Sequence, residues 1–290
     1  MAERYFYGLL ILMKPTYSLS GDRTINRMGF GAMRIVGPGV WGPPADRENA
    51  LAVLQKAVEL GVDFIDTADS YGPNVSEELI AEALYPYPEK LLIATKGGFE
   101  RSGPNAWEMN GKASHLKEAL EGSLKRLKLD QIELYQLHRI DPSTPRKETF
   151  TFLQKAQHEG LIKHIGLSEV SIADVEEART YFDLVSIQNK YAFDYRKWEP
   201  ELEYCQKNGI AFIPWNPMNA NNKDTMAKVA AIAGKHGASP QQVALAWLLQ
   251  HADNILLIPG TGKVAHLEEN MKTVDLVLDA DDMAALDALS

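Results

Sequence analysis

The sequence predicts an α/β protein, a single (β/α)8 TIM barrel with an N-terminal β-hairpin and a C-terminal helix. Three observations carry this reading. Eight short runs, apolar on both faces as buried parallel strands are, alternate with segments whose apolar residues recur at helical spacing. No composition break, Ser/Gly linker or low-complexity tract divides the chain. Its 290 residues, 45% hydrophobic and 24% charged, suit one closed barrel, a fold that typically takes about 250. An open doubly wound sheet would alternate in the same way, so periodicity alone leaves that topology standing.

In chain order, residues 1–12 read as an extension outside the fold, and the barrel domain is expected to span 13–290. The nine residues YFYGLLILM, 5–13, are too few for a bilayer span of about 20 and have no small-x-small cleavage site after them. A Gly-turn strand pair comes next. The predicted barrel strands are 28–33, 64–68, 91–95, 132–137, 164–167, 184–188, 211–214 and 255–258. Between them Leu51, Leu54 and Val58, then Leu116, Leu120, Leu124 and Leu127, mark buried helix faces. Ser239-Pro240-Gln241-Gln242 places an N-cap serine, a proline at the first helical position and a glutamine at the third, a capping box that starts a helix; Ser171 and Asp174 repeat it.

One motif points the other way. Gly37-Pro38-Gly39-Val40-Trp41-Gly42 matches the G-x-G-x-x-G of a dinucleotide-binding turn. Pro43-Pro44 follows where the phosphate-binding helix should run, and residues before proline avoid helical geometry, so the segment reads as a loop.

Charge and sulfur narrow the function. With 30 basic and 39 acidic residues the net charge is −9, which repels phosphate backbones and anionic lipid, so neither nucleic acid nor membrane is an expected partner. Cys205 is the single cysteine, which excludes an intrachain disulfide and thiolate zinc. The seven histidines show no helical ligand pairing, so no metal is expected, and a cytoplasmic location fits.

In such a barrel the strand C-termini face the active site. The second strand leads to Asp66 and Tyr71, the third ends in Lys96, and the fourth ends in His138. Taken singly, each has a structural explanation as a capping aspartate, a packing tyrosine or a satisfied histidine. Together they make chemical sense: an ammonium favours phenolate and draws a tyrosine pKa down from about 10, while the carboxylate keeps the lysine charged. That assembles a general acid. The rival enzyme class is a barrel aldolase with Lys96 as Schiff-base nucleophile, which borohydride would trap.

The segments FIDTADSYG, ATKGG, LYQLHRID, GLSEVS, SIQNKY and IPGTGKVAHLEEN, in this order and one per barrel unit, resemble the aldo-keto reductase superfamily over roughly 20–278. The resemblance implies that Asp66, Tyr71, Lys96 and His138 form a catalytic tetrad. It places the nicotinamide of a dinucleotide against Ser168, Gln188 and Trp215, with Asn216 and Met218 beside them. Glu169 stands where many members have asparagine. The adenine end would lie along Pro259, Gly260, Thr261, Lys263, His266, Glu269 and Asn270. NADPH is the implied cofactor and NADH a second candidate, because Gly260 and His266 replace the lysine and arginine of many NADP-specific members and weaken a 2′-phosphate clamp. Lys263, Thr261 and the N–H groups of a helix start remain to bind phosphate. The implied reaction reduces a small-molecule aldehyde or ketone, with Tyr71 as proton donor.

Trp41, Trp107 and Tyr191, in predicted loops at the strand ends, are candidate walls of the substrate pocket. GAMRIVGPGVWGPPADR further resembles bacterial members that include pyridoxal reductases, which makes pyridoxal the leading named aldehyde. Some relatives in the superfamily are cofactor-binding regulatory subunits with vestigial turnover, and this remains the alternative.

Overall fold

The computed structural model describes residues 14–217 and 223–289. The proposed extension at 1–12 therefore lies outside the described residues, as does Met218. The described chain opens with the antiparallel hairpin β1 (Thr16–Leu19) and β2 (Arg23–Asn26), turned by Ser20 and Gly21 at positive φ. Leu19 and Ile25 are fully buried and pack with Phe64, Leu92, Leu134, Val185, Ile213 and Leu256 inside the barrel. The hairpin thus plugs the end opposite the strand C-termini.

The barrel continues with β3 (Phe30–Gly31), α1 (Arg47–Glu59), β4 (Phe64–Asp66), α2 (Val75–Leu84) and β5 (Leu92–Gly97). A second hairpin, β6 (Phe99–Gly103) and β7 (Ala106–Met109), precedes α3 (Ala113–Leu127), β8 (Ile132–Leu137) and α4 (Arg146–His158). Then come β9 (Ile162–Ser168), α5 (Ile172–Ala178), β10 (Leu184–Gln188), α6 (Glu199–Lys207), β11 (Ala211–Phe212) and α7 (Lys223–His236). The chain ends with α8 (Pro240–His251), α9 (Val264–Met271) and α10 (Ala280–Asp287).

Seven strands run parallel in the spatial order β3-β4-β5-β8-β9-β10-β11. The eighth stave, at 255–257, joins the two ends of this sheet. Phe212 N donates to Asn254 O at 2.8 Å and Leu256 N to Phe212 O at 2.9 Å, while Leu257 N donates to Arg27 O and Gly29 N to Leu257 O, both at 2.8 Å. A closed barrel results, and the open doubly wound sheet, which needs two free edges, is excluded.

The helix signals act as read. Ser239 and Gln242 form a reciprocal capping box on α8, and Ser171 and Asp174 form one on α5. The G-x-G-x-x-G segment makes only a short 3-10 turn, Pro38–Val40, with Gly39 and Val40 at positive φ, and α1 starts later under an Asp46 cap. Two elements differ from expectation. Met33 leaves the first strand for a 3-10 turn, Ala32–Ile35, and the β6–β7 hairpin replaces what reads as a loop. Among the described residues, no helix is long and apolar enough to cross a membrane.

The closing seam depends on a buried cation. Arg27 is 1% exposed, and its guanidinium donates to Ile255 O (2.9 Å), Leu249 O (3.0 Å), Lys14 O (3.1 Å) and Ala252 O. Burial draws its pKa down to about 10, against the pull of Asp253, so it stays charged at neutral pH. Arg27→Met should cost at least about 3 kcal/mol in guanidinium denaturation, because buried carbonyls lose a donor at about 1–3 kcal/mol each. A cost below about 1 kcal/mol would show that the seam closes without it.

Candidate active site

Strand register brings the polar strand ends together. Asp66 pairs laterally with Gly31 and Ala94, Lys96 pairs with Gln136, and Gln188 with Ser168. Tyr71 arrives from the turn between β4 and α2. Its N–H donates to Ala68 O, and the next residue, Gly72, sits at φ 104°, where a Cβ would lie 2.4 Å from that of Val75. Only glycine allows this turn.

Lys96 is fully buried, and its Nζ lies 2.5 Å from Asp66 Oδ1 and 2.8 Å from Thr67 O. The other Asp66 oxygen accepts from Gln136 Nε2 at 2.8 Å and Gln188 Nε2 at 2.9 Å. Burial works to lower the Lys96 pKa, but Asp66 and Tyr71 overcome it and leave it raised. An amine so held is a poor Schiff-base nucleophile, which needs the neutral form, and the aldolase reading loses its chemistry.

The same ammonium lies 5.2 Å from the Tyr71 ring centroid. Burial raises the Tyr71 pKa and Lys96 offsets this only in part, so the direction is upward. This corrects the expectation of a pKa drawn down toward neutrality: enclosure outweighs the neighbouring charge. His138 is pushed well below the ordinary imidazole value by burial and by Lys96, Arg139 and Arg101, so its ring is neutral. Ser70 Oγ is 3.4 Å from His138 Nδ1. The rings of Phe99, Tyr71 and Trp107 meet the imidazole edge-on at centroid distances of 4.7, 5.8 and 6.2 Å.

A cavity of about 830 Å³ runs from this cluster across the barrel mouth to α9. Asp66, Tyr71 and His138 line one end together with Trp107, Ser168, Gln188, Trp215 and Asn216. Pro259, Gly260, Thr261, His266, Glu269 and Asn270 line the other. Gly260 approaches Gly31 so closely that a Cβ there would lie 2.6 Å from Gly31 O.

Four predicted residues stand elsewhere. Lys263 is exposed at the N-cap of α9. Glu169 lies behind the wall: its Oε1 accepts from Trp215 Nε1 at 2.7 Å and from Lys190 N at 2.6 Å, so it orients the indole. Trp41 pairs its backbone with Gly72 and faces Arg101. Tyr191 is a correction. It is fully buried away from the cavity, stacked on Trp247, with its hydroxyl bonded to Glu199 and His251, because the chain after β10 turns it inward against α8.

The sequence reading missed Arg34, Phe99 and Arg139, which line the cavity, and Gln136, which holds Asp66. Gln136 had a signal, as an inward polar residue in an apolar strand two positions before His138. Arg139 donates to Ser168 Oγ at 2.8 Å, a partner from the next strand that spacing does not reveal.

Comparison with known proteins decides the family. Residues 27–290 match the Aldo/keto reductase family. The chain belongs to this family. It is 49% identical to an uncharacterised oxidoreductase of Schizosaccharomyces pombe over 271 residues, 92% of this chain and 87% of that one. It is 41% identical to pyridoxine 4-dehydrogenase of Escherichia coli over 281 residues, 95% of this chain and 98% of that one. A thermostable aldo-keto reductase crystallised with the inhibitor epalrestat superposes with a TM-score of 0.83 at 32% identity, covering 95% of this chain and 99% of that chain. This aldo-keto reductase is accordingly an NAD(P)H-dependent oxidoreductase.

The buried pair gives a stability test. Lys96→Met strands the Asp66 carboxylate and should cost about 3–5 kcal/mol in denaturant titration, whereas adding Asp66→Asn should recover part of that loss. Strict additivity of the two changes would show that the pair is not coupled.

Proposed function

We propose that this aldo-keto reductase reduces an aldehyde or ketone to the alcohol with NADPH, with Tyr71 as proton donor and pyridoxal as the leading substrate. The observation that carries this is a protonated, enclosed Tyr71 placed between a charged Lys96 and a neutral His138, at one end of a cavity that continues to α9.

The residues suit a dinucleotide. Gln188 spends its N–H groups on Asp66 and Gln136, and Ser168 donates its hydroxyl to Gln188 O, so both offer acceptors, which match the NH2 of a carboxamide. Trp215, fixed by Glu169, supplies a flat wall. At the far end Gly260 leaves no room for the lysine many relatives carry, but Arg34 Cγ lies 3.5 Å from where that Cβ would be. Arg34, exposed Lys263 and the α9 N-terminus supply the positive field a 2′-phosphate needs, which favours NADPH over NADH. When bound, the cofactor supplies the hydride.

The protein's own part is orientation and the proton. His138 in its neutral form offers its Nε2–H to the carbonyl oxygen when Ser70 Oγ donates to Nδ1. Tyr71 delivers its proton to the forming alkoxide, and Lys96 stabilises the phenolate left behind. Phe99 and Trp107 wall the substrate end with flat aromatic surface, which suits a heteroaromatic aldehyde, and the name of the Escherichia coli relative points to the pyridoxal–pyridoxine couple.

The test is oxidation of NADPH and NADH across an aldehyde panel that includes pyridoxal. A lower KM for NADPH and turnover of pyridoxal are expected. Tight NADPH binding without turnover of any aldehyde would favour the regulatory-subunit reading instead.

Tyr71→Phe should lower kcat by about 10²–10⁴-fold, the usual contribution of general acid catalysis, with cofactor affinity unchanged. Because His138 stays neutral and Tyr71 protonated, the wild-type rate should be level from pH 6 to 8. Tyr71→Phe retaining more than about a third of turnover, with a deuteride isotope effect showing chemistry to be rate-limiting, would remove Tyr71 from this role.

A further inference from the structure

Arg101, on the β6–β7 hairpin, is bonded entirely to backbone carbonyls. Nε donates to Ala106 O at 2.7 Å, Nη1 to Ser70 O at 2.7 Å and Val40 O at 2.9 Å, and Nη2 to Gly39 O at 3.1 Å and Gly103 O at 3.3 Å. Five acceptors meet the five N–H groups a guanidinium carries. They come from three segments: the hairpin itself, the Gly37–Gly42 loop, and the turn that presents Tyr71. The guanidinium also lies 3.6 Å from the ring centroid of Trp107 and 5.7 Å from that of Trp41.

We propose that Arg101 is a positioning residue that fixes Trp107 as a rigid wall of the substrate pocket and ties that wall to the Tyr71 turn, selecting flat aromatic carbonyl substrates. An isolated two-stranded hairpin is marginally stable, and β6–β7 forms a sheet of its own with a register shift between Glu100 and Gly103. Its position over the mouth therefore needs tethers. Asn105 N donates to Gly39 O at 2.9 Å and Asn110 N to Gly98 O at 3.0 Å, but neither reaches the Tyr71 turn, and Arg101 does. Trp107 is covered on one side by this cation and presents itself edge-on to Tyr71, at 6.4 Å and 86°, and to His138. The Gly37–Gly42 loop is bound in as well, through Gly72 N to Val40 O and the Trp41–Gly72 bridge. One side chain thus sets the distance between the aromatic wall and the proton donor. Lysine would keep the charge but has no planar fork to span three segments.

The kinetic arm of the test rests on the proposed reductase activity, whereas the exchange arm does not. In Arg101→Lys, hydrogen exchange of the cofactor-free protein should speed up together at 37–42, 69–72 and 99–109, with the barrel strands unchanged. Catalytic efficiency for a flat aromatic aldehyde should fall about tenfold, mostly through KM, the scale of one enclosed cation–π contact with its hydrogen bonds. A short aliphatic aldehyde and NADPH affinity should change little. Trp107→Leu, with Arg101 intact, should give the same aromatic-selective loss without disturbing 69–72, and it serves also if Arg101→Lys fails to fold. Wild-type exchange at 37–42 and 69–72 in Arg101→Lys overturns the tie. Equal losses for both aldehydes in both variants overturn the role in selection. Absence of any aldehyde turnover in the wild type would refute the reductase reading, and the exchange result would still decide the tie.

Discussion

A charged ammonium with no access to water is the constraint on which the site depends. Leaving the Lys96 charge unpaired in that interior would cost several kcal/mol, so Asp66 must lie beside it, and a bare carboxylate there would be as costly. Gln136 and Gln188 satisfy the second Asp66 oxygen, and Thr67 O takes another Lys96 proton. These partners come from four different strands or their ends, so the network forms only when the parallel register is right. The charge then acts outward, holding His138 neutral together with burial and opposing the rise in the Tyr71 pKa.

The barrel supports this network with two arginines that meet carbonyls rather than carboxylates. Arg27 joins the seam where the first and last staves meet with few ladder bonds, and Arg101 joins the loops at the opposite, open end. Each lies where regular pairing is thin and several backbone oxygens converge. A guanidinium is suited to such places because its donors are fixed in a plane and its charge is spread over three nitrogens. The close Gly31–Gly260 approach belongs to the same seam, and so the residue at the α9 end of the cavity is fixed by backbone contact.

Much of this was legible in the sequence, because periodicity and capping are local. The strands ending at Asp66, Lys96 and His138, the boxes at Ser171 and Ser239, and the proline argument against the glycine-rich turn each needed only a few neighbouring residues. What escaped depends on partners distant in the chain. Tyr191 reads as a loop aromatic until Glu199 and His251, 8 and 60 residues on, take its hydroxyl. Glu169 reads only as a departure from the asparagine of many relatives until Trp215, 46 residues on, is found donating to it. The Tyr71 pKa direction was misread for another reason: residue types reveal which charges are near, but not how completely the ring is enclosed.

That upward shift bears on why tyrosine and not histidine would give the proton. A neutral His138 can donate a hydrogen bond, but releasing its remaining N–H proton would create an imidazolate, a far stronger base than a phenolate, so even beside Lys96, Arg139 and Arg101 the ring is the weaker acid. A phenol is ordinarily far more acidic than an alcohol, whose alkoxide resembles hydroxide, the conjugate base of water with its pKa of about 15.7. Lys96 opposes the upward shift and lies where it would stabilise the phenolate that a transfer leaves behind. The raised pKa also keeps the phenol protonated throughout the neutral range, as the proposed role of proton donor requires. Burial, which at first sight weakens the acid, is what keeps it an acid, and the Asp66–Lys96 pair confines the cost of burial to a charge already paid for by its own strands.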